Sequence, residues 1–226
     1  MQTIAERFTT IHERIRKTEL ENNRPAGSVR LLAVTKKKPV ADIRAAFESG
    51  QSDFGENYLQ DALPKIEALS PLPLCWHFIG RLQANKTRPV AGYFDWVHSL
   101  DRLRIAQRLS DQRPPNLKPL NVCIQVNLDN EDSKAGVPPE AVAELALAVQ
   151  ALPNLQLRGL TALPRPETDP QKQRQAFRHL RELLETLAAE GLPLDTLSMG
   201  TSSDFEAAIA EGATIVRIGT TLFGPR

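Results

Sequence analysis

The chain has 226 residues, 41% of them hydrophobic and 24% charged, with a formal net charge of +1. That is ample material for a sizeable core, and the balanced charge excludes a long-range electrostatic drive toward nucleic acid or an anionic membrane. No apolar run approaches the roughly 20 residues of a membrane span, and residues 1–23 mix acids with bases and lack the apolar segment of a signal peptide.

Ile4, Phe8, Ile11 and Ile15 recur at helical spacing, which predicts a helix over 4–20. A first strand is expected over 29–34, then a short helix over 42–49 stopped by Gly50. A brief strand at 53–55 precedes a helix at 59–69; a third strand at 74–79 ends at Gly80 and precedes a weak helix at 85–91. A fourth strand is expected at 93–97, with Asp101 capping a helix over 102–112. The fifth strand, 120–128, is an almost unbroken apolar run, and Pro138, Pro139 and Glu140 open a helix that ends near Leu152. The sixth strand covers 155–163, and Asp169 and Pro170, as N-cap and first helical residue, start a long helix to Glu190. A strand at 194–199, a helix at 204–210 and a strand at 214–218 complete the series.

Continuous apolar strands alternating with helices predict a parallel sheet covered on both faces. Eight such units predict a single (β/α)8 TIM barrel, a fold of roughly 200–250 residues, with a doubly wound open sheet as the rival. No helix is expected after the last strand, and the extra N-terminal helix is expected to fill that gap in the outer ring. The stop at Arg226 leaves no C-terminal β domain, so residues 1–226 read as one domain. Cys75 and Cys123 lie in apolar runs without metal-ligand partners and read as free thiols of a reducing cytosol.

In a parallel barrel, functional residues gather at the C-terminal strand ends. At strand seven, Ser198 and Met199 precede Gly200 to Ser203, which lead directly into a helix; Ser203 and Glu206 have capping-box spacing. Gly219 and Thr220 make a second short turn after strand eight. Together these read either as a phosphate cradle or as an ordinary capped helix and a turn. Lys36 ends strand one; a lysine there, walled by apolar side chains, can lose its proton and form an imine with an aldehyde, while a run of three lysines also reads as a solvated turn. Period-two alternation groups Lys36 with Leu32 and Val34; Lys38 has the same parity but abuts Pro39. His12 and His179 fall on helices. His77 and His98, near strand ends, read better as satisfied core groups than as pocket residues. The basic stretch from Arg158 to Arg178 is interrupted by Glu167 and Asp169 and reads as a solvated face.

Several strand-end motifs fall in order along nearly the whole chain: Leu31 to Lys36 with Pro39, Phe54 to Asn57, Trp76 to Gly80 with Leu82, Gln83, Asn85 and Lys86, Ser133 and Lys134 with Gly136, Arg158 to Leu160, and Val216 to Thr220. In these the chain resembles the pyridoxal phosphate homeostasis proteins. It departs at Thr201, where members of that family tend to carry methionine; a side chain of the phosphate loop then packs differently. The resemblance implies a barrel similar to the N-terminal domain of alanine racemase, with pyridoxal 5′-phosphate held as an imine on Lys36. It further implies Asn57 beside the ring, Ser202, Gly219 and Thr220 around the phosphate, Arg217 at the pyridine nitrogen, and Ser198 and Met199 lining the site. The implied role is keeping free cofactor and amino-acid pools in balance without clear catalytic turnover, with apo-enzymes as acceptors and no nucleic acid, membrane or metal; a monomer in the cytoplasm is expected. Arg217 can only donate, so it would keep the ring nitrogen unprotonated and weaken the electron sink. Racemisation also needs a second acid or base on the opposite face, which alanine racemase takes from its C-terminal domain; here the tyrosines are Tyr58 and Tyr93, and nothing in the sequence sets either across from Lys36. A weak amino-acid racemase is the alternative, and a barrel enzyme acting on a phosphorylated sugar is a third reading.

Overall fold

The computed structural model describes residues 2–129 and 135–224. Its elements in chain order are α1 (Ile4–Glu21), β1 (Arg30–Val34), α2 (Val40–Glu48), β2 (Asp53–Glu56), α3 (Leu59–Ala68), β3 (Cys75–Phe78), α4 (Thr87–Tyr93), β4 (Trp96–Leu100), α5 (Leu103–Gln112), β5 (Leu120–Val126), α6 (Val142–Gln150), β6 (Leu155–Ala162), α7 (Pro170–Ala189), β7 (Thr196–Ser198), α8 (Phe205–Ala210), β8 (Ile215–Ile218) and α9 (Thr220–Phe223). Single 3-10 turns at Ala84–Lys86 and Pro139–Ala141 lead into α4 and α6. The eight strands pair in sequence order, all parallel, and β8 closes on β1. This is the expected (β/α)8 barrel.

The barrel forms because each strand buries both faces. On β1, Leu31 and Ala33 join the large core between sheet and helices, while Leu32 faces inward with Trp96, Cys123 and Ile215. The helices supply amphipathic faces with caps. Thr3 and Glu6 form a reciprocal capping box at the start of α1. Asp169 accepts from the Gln171 amide at 2.8 Å, so the cap and the Pro170 start of α7 fall where the sequence sets them. α1 packs against α2, α8 and α9 and so occupies the predicted gap in the helical ring. Burial of Phe8, Ile11 and Ile15 contributes roughly 5–9 kcal/mol at about 1.5–3 kcal/mol each. Glu19 sets the register of this docking: buried, it accepts from the Gly27 and Val29 amides at 3.0 and 2.7 Å and from Ser28 Oγ at 3.2 Å. No helix among the described residues is long and apolar enough to cross a membrane.

Four local expectations are corrected. The fourth strand lies further along than 93–97: Tyr93 closes α4, and the strand runs Trp96–Leu100, carrying His98 and Ser99 inside it. An aromatic, β-prone run here ends a helix because Phe94 turns inward to the core. Asp101 does not cap α5; the N-cap is Arg102, and the Asp101 carboxylate pairs with that residue's guanidinium at 3.1 Å. Ser203 and Glu206 form no capping box, since Asp204 is the N-cap of α8 and Glu206 pairs with Arg14 on α1. Finally, a short helix, α9, does follow the last strand, seated on α1 through an edge-on Phe8–Phe223 contact at 5.9 Å. Ser133 and Lys134 of the sequence motif lie outside the described residues.

Candidate functional site

At the C-terminal mouth, strand ends β1, β2, β3, β6, β7 and β8 surround a pocket of about 270 Å3, near the lower end of the small-molecule range of roughly 300–1,000 Å3. Lys36, Asn57, Ser202, Arg217, Gly219 and Thr220 all line it. Val34, Ile79 and Leu163 form its apolar wall, and Lys38 and Thr201 add to its polar side. Among the described residues, three cationic side chains and no carboxylate line this pocket, so it favours an anion with a small apolar body.

Lys36 reaches the pocket by the alternation of β1: Leu32 lies inside the barrel, Val34 at the pocket floor and Lys36 at its edge. The chain then turns sharply, with Lys37 in the left-handed region at φ 61°, uncommon for a residue with a side chain. Beyond the turn, Lys38 Nζ donates to the carbonyls of Phe223 and Gly224 at 3.0 and 3.1 Å, tying the lysine loop to the end of α9. Below it, Thr35 is clamped. Its hydroxyl donates to Glu56 Oε1 at 2.6 Å, while Lys65 Nζ donates to the Thr35 carbonyl at 2.9 Å and to Glu56 Oε1 at 2.7 Å. Burial pushes the Glu56 carboxyl up, against the pull of the Lys65 and Thr35 hydrogen bonds. This buried pair holds the residue immediately before Lys36.

Asn57 is brought to the pocket by a close approach between loops. A Cβ on Gly80 would sit 1.9 Å from the Asn57 carbonyl oxygen, so only glycine lets the β3 loop pass there. Asn57 Oδ1 is buried and has no hydrogen-bond partner among the described residues. A buried polar atom without a partner carries a desolvation cost of about 1–3 kcal/mol, which a polar ligand in this pocket would relieve.

The anion-binding side comes from two turns. Gly200 has φ +90° and its Cβ position lies 2.6 Å from Ala208 Cβ, so glycine is required where β7 passes onto α8. Asp204 Oδ1 closes that turn by accepting from the Thr201 amide at 2.6 Å and the Thr201 hydroxyl at 2.9 Å. Ser202 is left at the pocket rim. On the neighbouring strand, Gly219 caps α9 and Thr220 opens it. In each first turn one amide is already used, Phe205 N–H donating to the Thr201 carbonyl and Leu222 N–H to the Gly219 carbonyl, each at 3.0 Å; the amides that open a helix are otherwise donors suited to a phosphate.

Arg217 crosses the floor. Its guanidinium donates to Thr161 Oγ1 and Ser198 Oγ, each at 2.8 Å, to the Ser198 carbonyl, and to the Ala162 carbonyl at 2.8 Å. Burial lowers it to about 10, still far above neutrality, so it stays cationic. Ser198 lies one layer below the pocket, fully buried beneath Arg217, and is not on its wall. Met199, also fully buried, packs into the core between sheet and helices. The alternation of β7 explains this, since Met199 points away from the barrel axis. Thr161 was not singled out by the sequence; its parity on β6 and its place opposite Arg217 become visible only with the strand register, Thr161 beside Ser198. His77 and His98 are satisfied core groups inside the barrel, and both cysteines are free, Cys123 fully buried with its thiol pushed up to about 12 by burial.

The chain matches the family described as alanine racemase, N-terminal domain, over residues 12–226. It is 58% identical to the pyridoxal phosphate homeostasis protein of Pseudomonas aeruginosa, covering all of this chain and 97% of that one. It is 47% identical to the protein of that name from Escherichia coli K12, covering 100% and 98%. Among solved structures, PipY of Synechococcus elongatus with PLP bound superposes with a TM-score of 0.86 at 37% identity, over 98% of this chain and 100% of PipY. Alanine racemase of Corynebacterium glutamicum, at 16% identity and TM-score 0.69, shares the fold over 96% of this chain and 61% of its own.

Proposed function

Because this chain belongs to the pyridoxal phosphate homeostasis protein family, built on the alanine racemase N-terminal domain, we propose that it binds pyridoxal 5′-phosphate covalently through Lys36 and serves intracellular cofactor balance rather than turnover. The observation that carries this reading is the pocket itself: one strand-end lysine, two amide-bearing turns, a cationic floor and an orphan amide oxygen converge on a space for one small ring. When bound, the cofactor supplies an aldehyde that condenses with an amine, releasing water, and an aromatic ring that withdraws electrons. Lys36 is the amine. Ser202, Gly219 and Thr220 would hold the phosphate, Asn57 would meet the ring, and Ile79 and Leu163 would shield it from water. Arg217 has only N–H groups to offer, so it meets a ring nitrogen as donor and keeps a proton off it, weakening the electron withdrawal that catalysis on amino acids requires. Ser198 acts from beneath the pocket, and Met199 supports it from the core between sheet and helices.

In this reading residues 1–226 work as one binding domain, a cytoplasmic monomer that passes the cofactor to apo-enzymes and steadies amino-acid pools. Borohydride reduction of the loaded protein, then peptide mass mapping, is expected to leave the reduced cofactor on Lys36. A label on another lysine, or none, would overturn the covalent assignment. The alternative, a weak racemase, predicts deuterium wash-in at Cα of an amino acid; no exchange across a panel is expected.

A further inference from the structure

Beneath the pocket, where barrels of this kind stack apolar layers, the interior carries a line of polar side chains. Arg217 Nη1 lies 2.8 Å from Ser198 Oγ, and Ser198 Oγ lies 2.8 Å from His98 Nδ1. His98 Nε2 lies 2.9 Å from His77 Nδ1, and His77 Nε2 lies 3.0 Å from Asp53 Oδ1. The line thus runs from the cofactor mouth to the opposite end of the barrel. His77, His98 and Ser198 are at most 2% exposed, and each contact is within hydrogen-bond distance.

The two ends fix the direction of every bond between them. Arg217 cannot accept, so Ser198 Oγ accepts from it and its own hydrogen is free to go to His98 Nδ1. The buried hydroxyl hydrogen needs an acceptor, and among the described residues His98 Nδ1 is the one beside it, so His98 carries its hydrogen on Nε2 and donates to His77 Nδ1. From the other end, an ionised Asp53 can only accept, so His77 carries its hydrogen on Nε2, which leaves its Nδ1 as acceptor. Both derivations give the same tautomers, with both rings neutral and no donor facing a donor. The ring planes are held as well: His77 stacks on Trp96 at 5.4 Å and an interplanar angle of 7°.

We infer that Asp53, His77, His98 and Ser198 form a one-way hydrogen-bonded chain that positions Arg217 from below, making Ser198 and His98 positioning residues of the pocket. The part concerning the pocket rests on the proposed cofactor reading; the chain itself does not. The geometry sets a distinctive expectation. Because each end alone dictates the same direction, Asp53→Asn or Ser198→Ala singly leaves His98 in its Nε2–H form, whereas the double variant frees it.

The test is long-range nitrogen–proton NMR of the cofactor-free protein at pH 7. Neutral Nε2–H signatures for both His77 and His98 are expected, retained by His98 in each single variant and mixed in the double one. A cationic ring or an Nδ1–H form in the wild type overturns the chain, even if no variant folds. For the pocket, Ser198→Ala is expected to weaken binding of pyridoxal 5′-phosphate about tenfold, as loss of one buried hydrogen bond to a charged group implies. It is also expected to shift the pH profile of the bound cofactor's absorption, and Ser198→Thr, which keeps the hydroxyl, is expected to restore both. Unchanged affinity and profile in Ser198→Ala overturn the positioning role. Failure of the wild type to bind the cofactor overturns the proposed function and leaves the tautomer result standing by itself.

Discussion

Acidification from pH 7 to pH 5 is expected to cost the folded chain up to about 4 kcal/mol, through His77 and His98. Burial, first of all, holds both imidazoles below their ordinary value; for His98 the neighbouring His77 and Arg217 add to it, and for His77 the pull of Asp53 only partly offsets it. Asp53, Arg30, Asp95, Cys75 and Arg217 are the ionisable groups that act on or touch them. The sign follows from the unfolded chain, which takes up a proton on each histidine near pH 6.5 while the folded chain refuses it. Stability is therefore full above that value and lost below it. A ring that stays neutral throughout loses at most about 2 kcal/mol between pH 7 and pH 5, and two lose at most about 4. Asp53 and Asp195, held low chiefly by His77 and Arg158 against the effect of burial, add to the loss only at lower pH. Glu56 and Asp101, pushed up by burial, work in the opposite sense, while His12, lowered by burial and then by Arg16, works in the same sense as the two barrel histidines. Urea unfolding at pH 7, 6 and 5, followed by tryptophan fluorescence, measures this directly, and His98→Gln is expected to remove about half of the pH dependence. A pH dependence that His98→Gln leaves unchanged would refute the reasoning, because that ring would then be titrating inside the folded barrel.

Lys65→Met leaves the Glu56 carboxylate buried and unpaired and is expected to cost about 3–5 kcal/mol, with Glu56→Gln in the same chain recovering part of it; thermal unfolding reads both. Gly80→Ala drives a methyl into the Asn57 carbonyl, so cofactor affinity is expected to fall with Lys36 intact, as equilibrium titration would show; unchanged affinity would mean that the loop carrying Asn57 is not part of the site.

The barrel was legible because its signals are repetitive: apolar runs alternating with capped amphipathic helices leave few other ways to bury both faces of each strand. What the sequence misplaced was local. The run around Tyr93 to Val97 has strand-like composition throughout, and only packing decides that Tyr93 ends a helix and Trp96 starts a strand. The capping-box spacing of Ser203 and Glu206 was a true pattern used otherwise, since Arg14 on α1, far away in sequence, captures the glutamate. The pocket was legible at Lys36 and at the two glycine turns, where alternation and turn chemistry act over a few residues. Met199 misled because adjacent strand residues face opposite sides. Thr161 and the polar line through His77 and His98 were out of reach for a different reason: they meet across strands distant in sequence, and neighbouring-strand register is a property of the closed sheet.

The central claim is that Lys36 holds the cofactor in this pocket. Visible absorption of the purified protein with pyridoxal 5′-phosphate, beside Lys36→Ala, tests it most directly. Lys36 stands at the barrel mouth outside the core, so the variant is expected to fold with a melting temperature close to wild type. The account predicts the band of a lysine-bound cofactor in the wild type and its absence in Lys36→Ala. A band in both would assign the bond to another amine, and a band in neither would contradict the cofactor reading and return this pocket to the binding of some other small phosphate ester.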